Sequence, residues 1–153
     1  YEAEDRPALF DAPRQYGLGQ THKHLPEMAT VCGLDYAPVF SPVVAPYYAG
    51  MEVTLPLFAS DFVLPVTVRE VEACYRSYYT SGVVRVRGNA DENGFLSAGA
   101  LTGRDDMEIA VFGNDERIVL TARFDNLGKG ASGAAIQNMN LLLDVNETEG
   151  LIL

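Results

Sequence analysis

One run of helical periodicity, set between stretches that alternate residue by residue, constrains this chain more than any other feature. Val68, Val71, Cys74 or Tyr75, and Tyr78 recur every three to four residues, which places them on one face of a helix over residues 67–80. Thr67 stands where a cap is needed and Glu70 follows three residues later, so each side chain can satisfy the other's free backbone N–H in a capping box. Before this helix, Met51, Val53, Leu55 and Leu57 alternate with Glu52, Thr54, Pro56 and Phe58, the pattern of a strand. After it, residues 83–87, 107–112 and 117–124 carry β-branched and apolar residues at strand spacing. Residues 89–94 are a polar turn cluster after the first of these and residues 113–116 separate the last two as a hairpin turn does, so antiparallel pairing is expected of all three.

The remaining segments fill in around this frame. Pro26 and Glu27 suit a first helical turn, Met28, Val31 and Cys32 continue it, and Gly33 stops it, so residues 25–33 read as a short helix with His22 and His24 on the loop entering it. Residues 36–44 read as a strand joined through 45–50 to the strand at 51–58, and residues 1–15, with Pro7 and Pro13, as an arm. Residues 128–143 begin glycine-rich and end as a good helix former; small residues there let the helix approach another backbone or a ligand closely. Helices and strands do not alternate as in a doubly wound unit, and no Gly-x-Gly-x-x-Gly follows a strand. The fold class is α+β, a mostly antiparallel mixed sheet with helices on one face.

At 153 residues and 48% hydrophobic, the chain suits one globular domain. Eleven Lys and Arg against 21 Asp and Glu give a net charge of −10, which argues against nucleic acid and anionic membrane surfaces as partners. No apolar run approaches the roughly 20 residues of a spanning helix. The acidic start is unlike a secretory signal, and with no initiator Met the chain is expected to be a processed product or an excised piece. Cys32 and Cys74 are too far apart for a Cys-x-x-Cys pair; both read as small buried hydrophobes in a protein of the reducing cytoplasm.

Two segments can carry chemistry. The chain's two histidines, His22 and His24, stand in Tyr16-Gly17-Leu18-Gly19-Gln20-Thr21-His22-Lys23-His24-Leu25-Pro26-Glu27. Imidazole titrates between pH 5 and 8 and suits acid–base work, with a neighbouring Glu to orient it. The alternatives are two exposed loop histidines or a pair of metal ligands lacking the rest of a site. The second segment, residues 125–133, turns from a strand end through glycines into a helix, where backbone N–H groups attract anions or the polar edge of a cofactor. It lacks the P-loop order, and a purely structural cap explains it equally well.

Together, Tyr-Gly-x-x-x-x-His-Lys-His-x-Pro-Glu and, about a hundred residues later, Asp-Asn-Leu-Gly-Lys-Gly-Ala-Ser-Gly-Ala-Ala-Ile-Gln-Asn-Met-Asn-Leu resemble the N-acetyl-gamma-glutamyl-phosphate reductase family of arginine biosynthesis. Phe40-Ser41-Pro42, the turn from Pro46 to Gly50, and Glu147-Thr148-Glu149-Gly150-Leu151 extend the resemblance over nearly all of the chain from Tyr16 onward. It implies an enzyme with an N-terminal Rossmann domain that binds NADP and a C-terminal α+β domain similar to the catalytic domain of glyceraldehyde-3-phosphate and aspartate-semialdehyde dehydrogenases. This chain looks like the second part, with residues 1–15 a variable arm and 16–153 the catalytic and dimerisation domain. The nucleophile's Gly-Cys-Tyr-Pro-type motif is expected upstream of Tyr1, and Cys32, in Val31-Cys32-Gly33, does not match it.

By that resemblance His22 is the catalytic residue, activating the thiol and donating a proton to the substrate oxygen. Tyr16, His24 and Glu27 contact the substrate or hold the imidazole in one tautomer; Asn126 and Gly130 face the cofactor, and no metal is implied. The implied partners are a small acyl-phosphate substrate, the Rossmann domain and further copies of the chain. One departure is Ala49, where the family often has Arg before Gly50, removing a contact to an anionic substrate; another is the absence of the family's early Ser-Gly-rich strand. A noncatalytic oligomerisation or binding module is the alternative.

Overall fold

The computed structural model describes residues 5–153, which fall into two compact units divided between Tyr48 and Ala49. In the first unit a short 3₁₀ turn (Ala8–Asp11) leads to strand β1 (Arg14–Gln15), helix α1 (His24–Cys32) and strand β2 (Val43–Val44). β1 pairs antiparallel with β2, so part of the expected arm is structured. The expected strand over 36–44 shrinks to its last two residues; Pro38 and Pro42 lack the N–H groups a longer ladder would need. Helix α1 ends at Gly33, whose left-handed φ of 63° lets its N–H bond back to the helix carbonyls. His24 opens this helix, not the loop before it as its sequence position suggested.

The second unit holds strands β3 (Met51–Phe58), β4 (Val84–Val86), β5 (Met107–Gly113) and β6 (Arg117–Phe124), helix α2 (Val68–Tyr78) and helix α3 (Gly133–Leu142). The strands form one sheet in the order β3-β6-β5-β4. β6 pairs antiparallel with β3 and β5, but β4 runs parallel to β5, against the antiparallel expectation. The connection over residues 87–106 carries the chain back to the starting end of the sheet, as a parallel pair requires. The α+β expectation holds, with a mixed sheet.

Period-two alternation puts Leu55, Leu57, Ile118, Leu120, Ile109 and Val111 on one face. Helix α2 lies on that face, with Val71 packed against Val111 and the fully buried Ile118, and Phe62, Val66, Val68, Tyr75 and Leu120 around them. Each large side chain buried there stabilises the fold by about 1.5–3 kcal/mol relative to exposure. The capping box forms as expected. Thr67 Oγ1 accepts the Glu70 N–H at 3.3 Å, and Glu70 Oε2 accepts the Thr67 N–H at 2.8 Å. The Thr67 hydroxyl also donates to Glu70 Oε2 at 2.8 Å, and this bond together with that from the Thr67 backbone holds the Glu70 carboxyl below its ordinary range.

The opposite face is ionic toward one end. Glu108 and Arg123 are both almost fully buried, with Arg123 Nη2 and Nε donating to Glu108 Oε1 at 2.5 and 3.1 Å. Arg123 also donates to Glu92 Oε1 at 2.6 Å and to the carbonyls of Ala90 and Ser97, which fastens the 90–97 loop over this end of the sheet. Farther along the same face, Phe112, Val119, Thr54 and Leu96 line an open hollow of about 520 Å³. Cys32 and Cys74 are both exposed thiols, contrary to the buried reading. No helix among the described residues is long and apolar enough to cross a membrane.

Candidate active site

The sequence around the histidines builds a tight loop before α1. Gly17, at φ 65°, and Gln20, at φ 52°, bracket a turn closed by the Gln20 N–H on the Gly17 carbonyl at 3.0 Å. The Tyr16 N–H donates to the Pro42 carbonyl at 3.0 Å, and the Leu25 N–H to that of His22 at 3.0 Å. Leu25, buried, anchors the start of the helix. The half-buried His22 ring is thereby set among aromatic neighbours: Tyr16 edge-on at 5.9 Å between centroids, Phe40 edge-on at 5.1 Å, and His24 at 4.9 Å.

His22 Nδ1 accepts the backbone N–H of His24 at 3.3 Å. In the neutral ring an accepting Nδ1 leaves the proton on Nε2, so Nε2 is the donor, and among the described residues it has no hydrogen-bond partner. His24 Nδ1 lies 3.0 Å from Glu27 Oε2, both side chains reaching into solvent. The structure thus gathers Tyr16, His22, His24 and Glu27 in one place, with the Glu27 carboxylate beside His24 and the backbone beside His22. Among the described residues no group of three or more His, Cys, Asp or Glu side chains converges as a metal site would require. Phe40 and Gln20 also belong to this site, which their sequence positions do not show. Their contact spans twenty positions, and no local pattern announces it.

The second candidate segment lies in the other unit. Asp125 is buried, its Oδ2 accepting the Gly103 N–H at 2.6 Å and its Oδ1 the N–H groups of Leu127 and Gly128 at 2.7 and 3.1 Å. Burial pushes its carboxyl up, but the three backbone donors outweigh that and hold it below the ordinary value. A π turn (Gly128–Ser132) then leads into α3, with the Gly130 N–H donated to the Asp125 carbonyl at 2.8 Å and the Ser132 N–H to that of Leu127 at 3.0 Å. The N–H groups expected to meet an external anion are largely taken, two of them by the chain's own Asp125 carboxylate.

The glycines there serve close packing. A Cβ on Gly128 would sit 2.3 Å from the Arg104 carbonyl oxygen, and one on Gly133 would sit 2.3 Å from Asp105 Oδ1. Farther on, Gln137 donates to Glu147 Oε2 at 2.9 Å, and Asn140 to the carbonyls of Glu147 and Glu149, so the polar residues of α3 hold the segment that follows it. Asn126 Oδ1 accepts the Gly50 N–H at 2.8 Å, while its Nδ2 has no hydrogen-bond partner among the described residues. Ala49 is buried, its carbonyl taken by the Thr102 hydroxyl, and carries no group that could reach an anion.

The mixed α+β fold, with a histidine loop in one unit and a glycine-bearing helix start in the other, is that of a dimerisation domain of the semialdehyde dehydrogenases. The chain belongs to that group: residues 2–126 match the family described as semialdehyde dehydrogenase, dimerisation domain. More particularly, it is 42% identical over 148 residues to the N-acetyl-gamma-glutamyl-phosphate reductase of Rhizobium etli (strain CIAT 652), covering 93% of this chain and 48% of that protein. The reductase of the same name from Allorhizobium ampelinum is 44% identical over 133 residues, 84% of this chain and 43% of the relative. That of Sinorhizobium medicae is 40% identical over 148 residues, 93% and 48%. The chain spans about half the length of these relatives.

Proposed function

We propose that this chain is the catalytic and oligomerisation part of a cytoplasmic N-acetyl-gamma-glutamyl-phosphate reductase, which converts the acyl phosphate to N-acetylglutamate semialdehyde in arginine biosynthesis. The observation that carries the reading is the His22 ring, held on three sides with Nε2 unpartnered among the described residues, within a chain alignable over nearly its whole length to reductases of that name. A Rossmann domain joined to it binds NADP and brings the nucleophilic cysteine. In the chemical sequence the thiolate sulfur bonds to the acyl carbon as the bond to the phosphate oxygen breaks. NADPH, when bound, supplies the hydride that releases the aldehyde.

This chain's own residues manage the proton. With Nδ1 accepting from the His24 backbone, His22 donates from Nε2, first as a hydrogen bond that favours the thiolate and then as the proton source for the oxygen on which negative charge develops. Tyr16, His24 and Glu27 line the approach for the substrate, with the Glu27 carboxylate fixing His24. For the cofactor, Asn126 fits a contact because its Nδ2 is unengaged among the described residues; Gly130, its N–H already donated, contributes only close approach beside the Phe124 ring.

The test follows from the division of labour. Residues 1–153 alone are expected to give no turnover in an NADPH-linked assay with the acyl phosphate. Turnover by this chain alone would overturn the assignment of the nucleophile to another segment. The homo-oligomer expected of the family is supported by the sheet face bearing Phe112 and Val119, whose hollow stays open in the single chain and suits a second copy. That same face is what favours the alternative of a noncatalytic assembly module.

A further inference from the structure

We infer that Gln20 is a positioning residue for His22, acting through Phe40; the inference rests on the proton-donor reading of His22. The Gln20 carboxamide grips Phe40 by both backbone groups, Nε2 donating to the Phe40 carbonyl at 2.7 Å and Oε1 accepting its N–H at 2.9 Å. This is the pairing one strand makes with another, supplied by a single side chain to a segment with Pro38 and Pro42 on either side. Phe40 cannot slide or rotate about its backbone while both bonds hold.

Its ring in turn stands edge-on to the imidazole at 5.1 Å, with Tyr16 edge-on from another side at 5.9 Å. Among the described residues the His22 ring has a single hydrogen bond, the 3.3 Å one its Nδ1 accepts from the His24 backbone N–H. Its orientation therefore depends on ring packing, and the ring that packs most closely apart from His24 is the one Gln20 fixes. The backbone at Gln20 adds an independent observation. Its φ of 52° is the left-handed region, where Gly, Asn or Asp is the common occupant, and such conformations persist where surrounding contacts hold them. A glycine would meet the conformation with less strain, so the side chain is what this position supplies.

The experiment uses a full-length reductase carrying this chain, with four variants: His22→Ala, Gln20→Gly, Gln20→Glu and Phe40→Leu. Gln20→Gly keeps the left-handed backbone without strain and removes both side-chain bonds to Phe40, along with a long 3.5 Å one to the Gly17 carbonyl, so it separates loss of the clamp from loss of folding. Gln20→Glu keeps the acceptor for the Phe40 N–H and loses the donor. The expected result is that Gln20→Gly and Phe40→Leu lower kcat on the order of 10- to 100-fold with KM within about twofold, Gln20→Glu falls between, and melting temperatures stay near the parent's. In NMR spectra of Gln20→Gly the His22 ring protons should lose the shift imposed by the Phe40 ring.

If His22→Ala lowers kcat while Gln20→Gly leaves kcat and the His22 ring signals unchanged, the positioning role is overturned and the His22 reading stands. A kcat unchanged in His22→Ala overturns both. A Gln20→Gly variant whose losses track a lowered melting temperature, with KM and kcat changing together, makes Gln20 a structural residue only and also overturns the inference.

Discussion

The histidine loop and the aspartate–glycine turn are the two segments whose residue types can carry chemistry, and they use their polar groups in opposite ways. Around residues 125–133 both Asp125 oxygens are filled by backbone donors, and the N–H groups of Leu127, Gly128, Gly130 and Ser132 all have partners within the turn. Around residues 16–27 the ring of His22 is packed but its Nε2 is left unengaged among the described residues, and His24 and Glu27 reach into solvent. A motif is a scaffold where its groups satisfy one another and a site where they are oriented but unspent. The Asn126 Nδ2 is the exception within the turn, and there the cofactor contact is proposed.

The comparison predicts separable consequences for activity and stability. The largest is for His22→Ala in a full-length reductase, where kcat should fall on the order of 10² to 10⁴-fold. The melting temperature should hardly move, because the lost ring is only half-buried. Steady-state kinetics and calorimetry on the same preparation check this, and an unchanged kcat would move the loop into the scaffold class. Next is Gly133→Ala. Its added methyl would overlap Asp105 Oδ1, Cβ and Cγ, at 2.3, 2.8 and 2.8 Å, and is expected to cost about 3 kcal/mol by denaturant titration.

Asp125→Asn comes third, at about 2 kcal/mol near neutral pH, since the amide replaces an acceptor with a donor facing a backbone N–H. Its pH dependence has a definite sign. The Asp125 carboxyl titrates below its ordinary 3.8 in the folded protein, so its contribution is complete above that value and is lost as the pH falls through the lower, folded value. The gap between parent and variant should therefore narrow on acidification below about pH 4, measured by unfolding at a series of pH values. Smallest is Thr67→Ala, which breaks the capping box of α2 and should cost about 1 kcal/mol without altering catalysis.

How much of this was legible follows from the range of the interactions. Helix α2 was readable because its cap and its apolar face lie within a dozen residues, and the β5–β6 hairpin because its turn is local. The parallel placement of β4 was not, since it depends on where the 87–106 connection returns. The strand expected over 36–44 rested on β propensity alone, and its prolines limited it to Val43 and Val44. The exposed thiols of Cys32 and Cys74 show a tendency of the residue type overridden by position on the helix.

The candidate site divides in the same manner. Tyr16, His22, His24 and Glu27 could be grouped because twelve consecutive positions hold them all. Phe40 and Gln20 could not, because their pairing joins segments twenty positions apart. At Asp125 the motif was visible but its use was not: an aspartate before a glycine-rich turn can present N–H groups to a ligand or consume them itself, and only the geometry decides. Glu108 and Arg123 sat in apolar strands at positions that share a face, a signal that was available and pointed to a buried ion pair.

The central claim is that the His22 imidazole serves a sulfur brought by another segment. A crystal structure of a full-length reductase containing this chain tests it directly. The account predicts the cysteine sulfur within about 3 to 4 Å of His22 Nε2, with the His24 N–H still on Nδ1. A sulfur well beyond that reach, or one served by a different side chain, would contradict it.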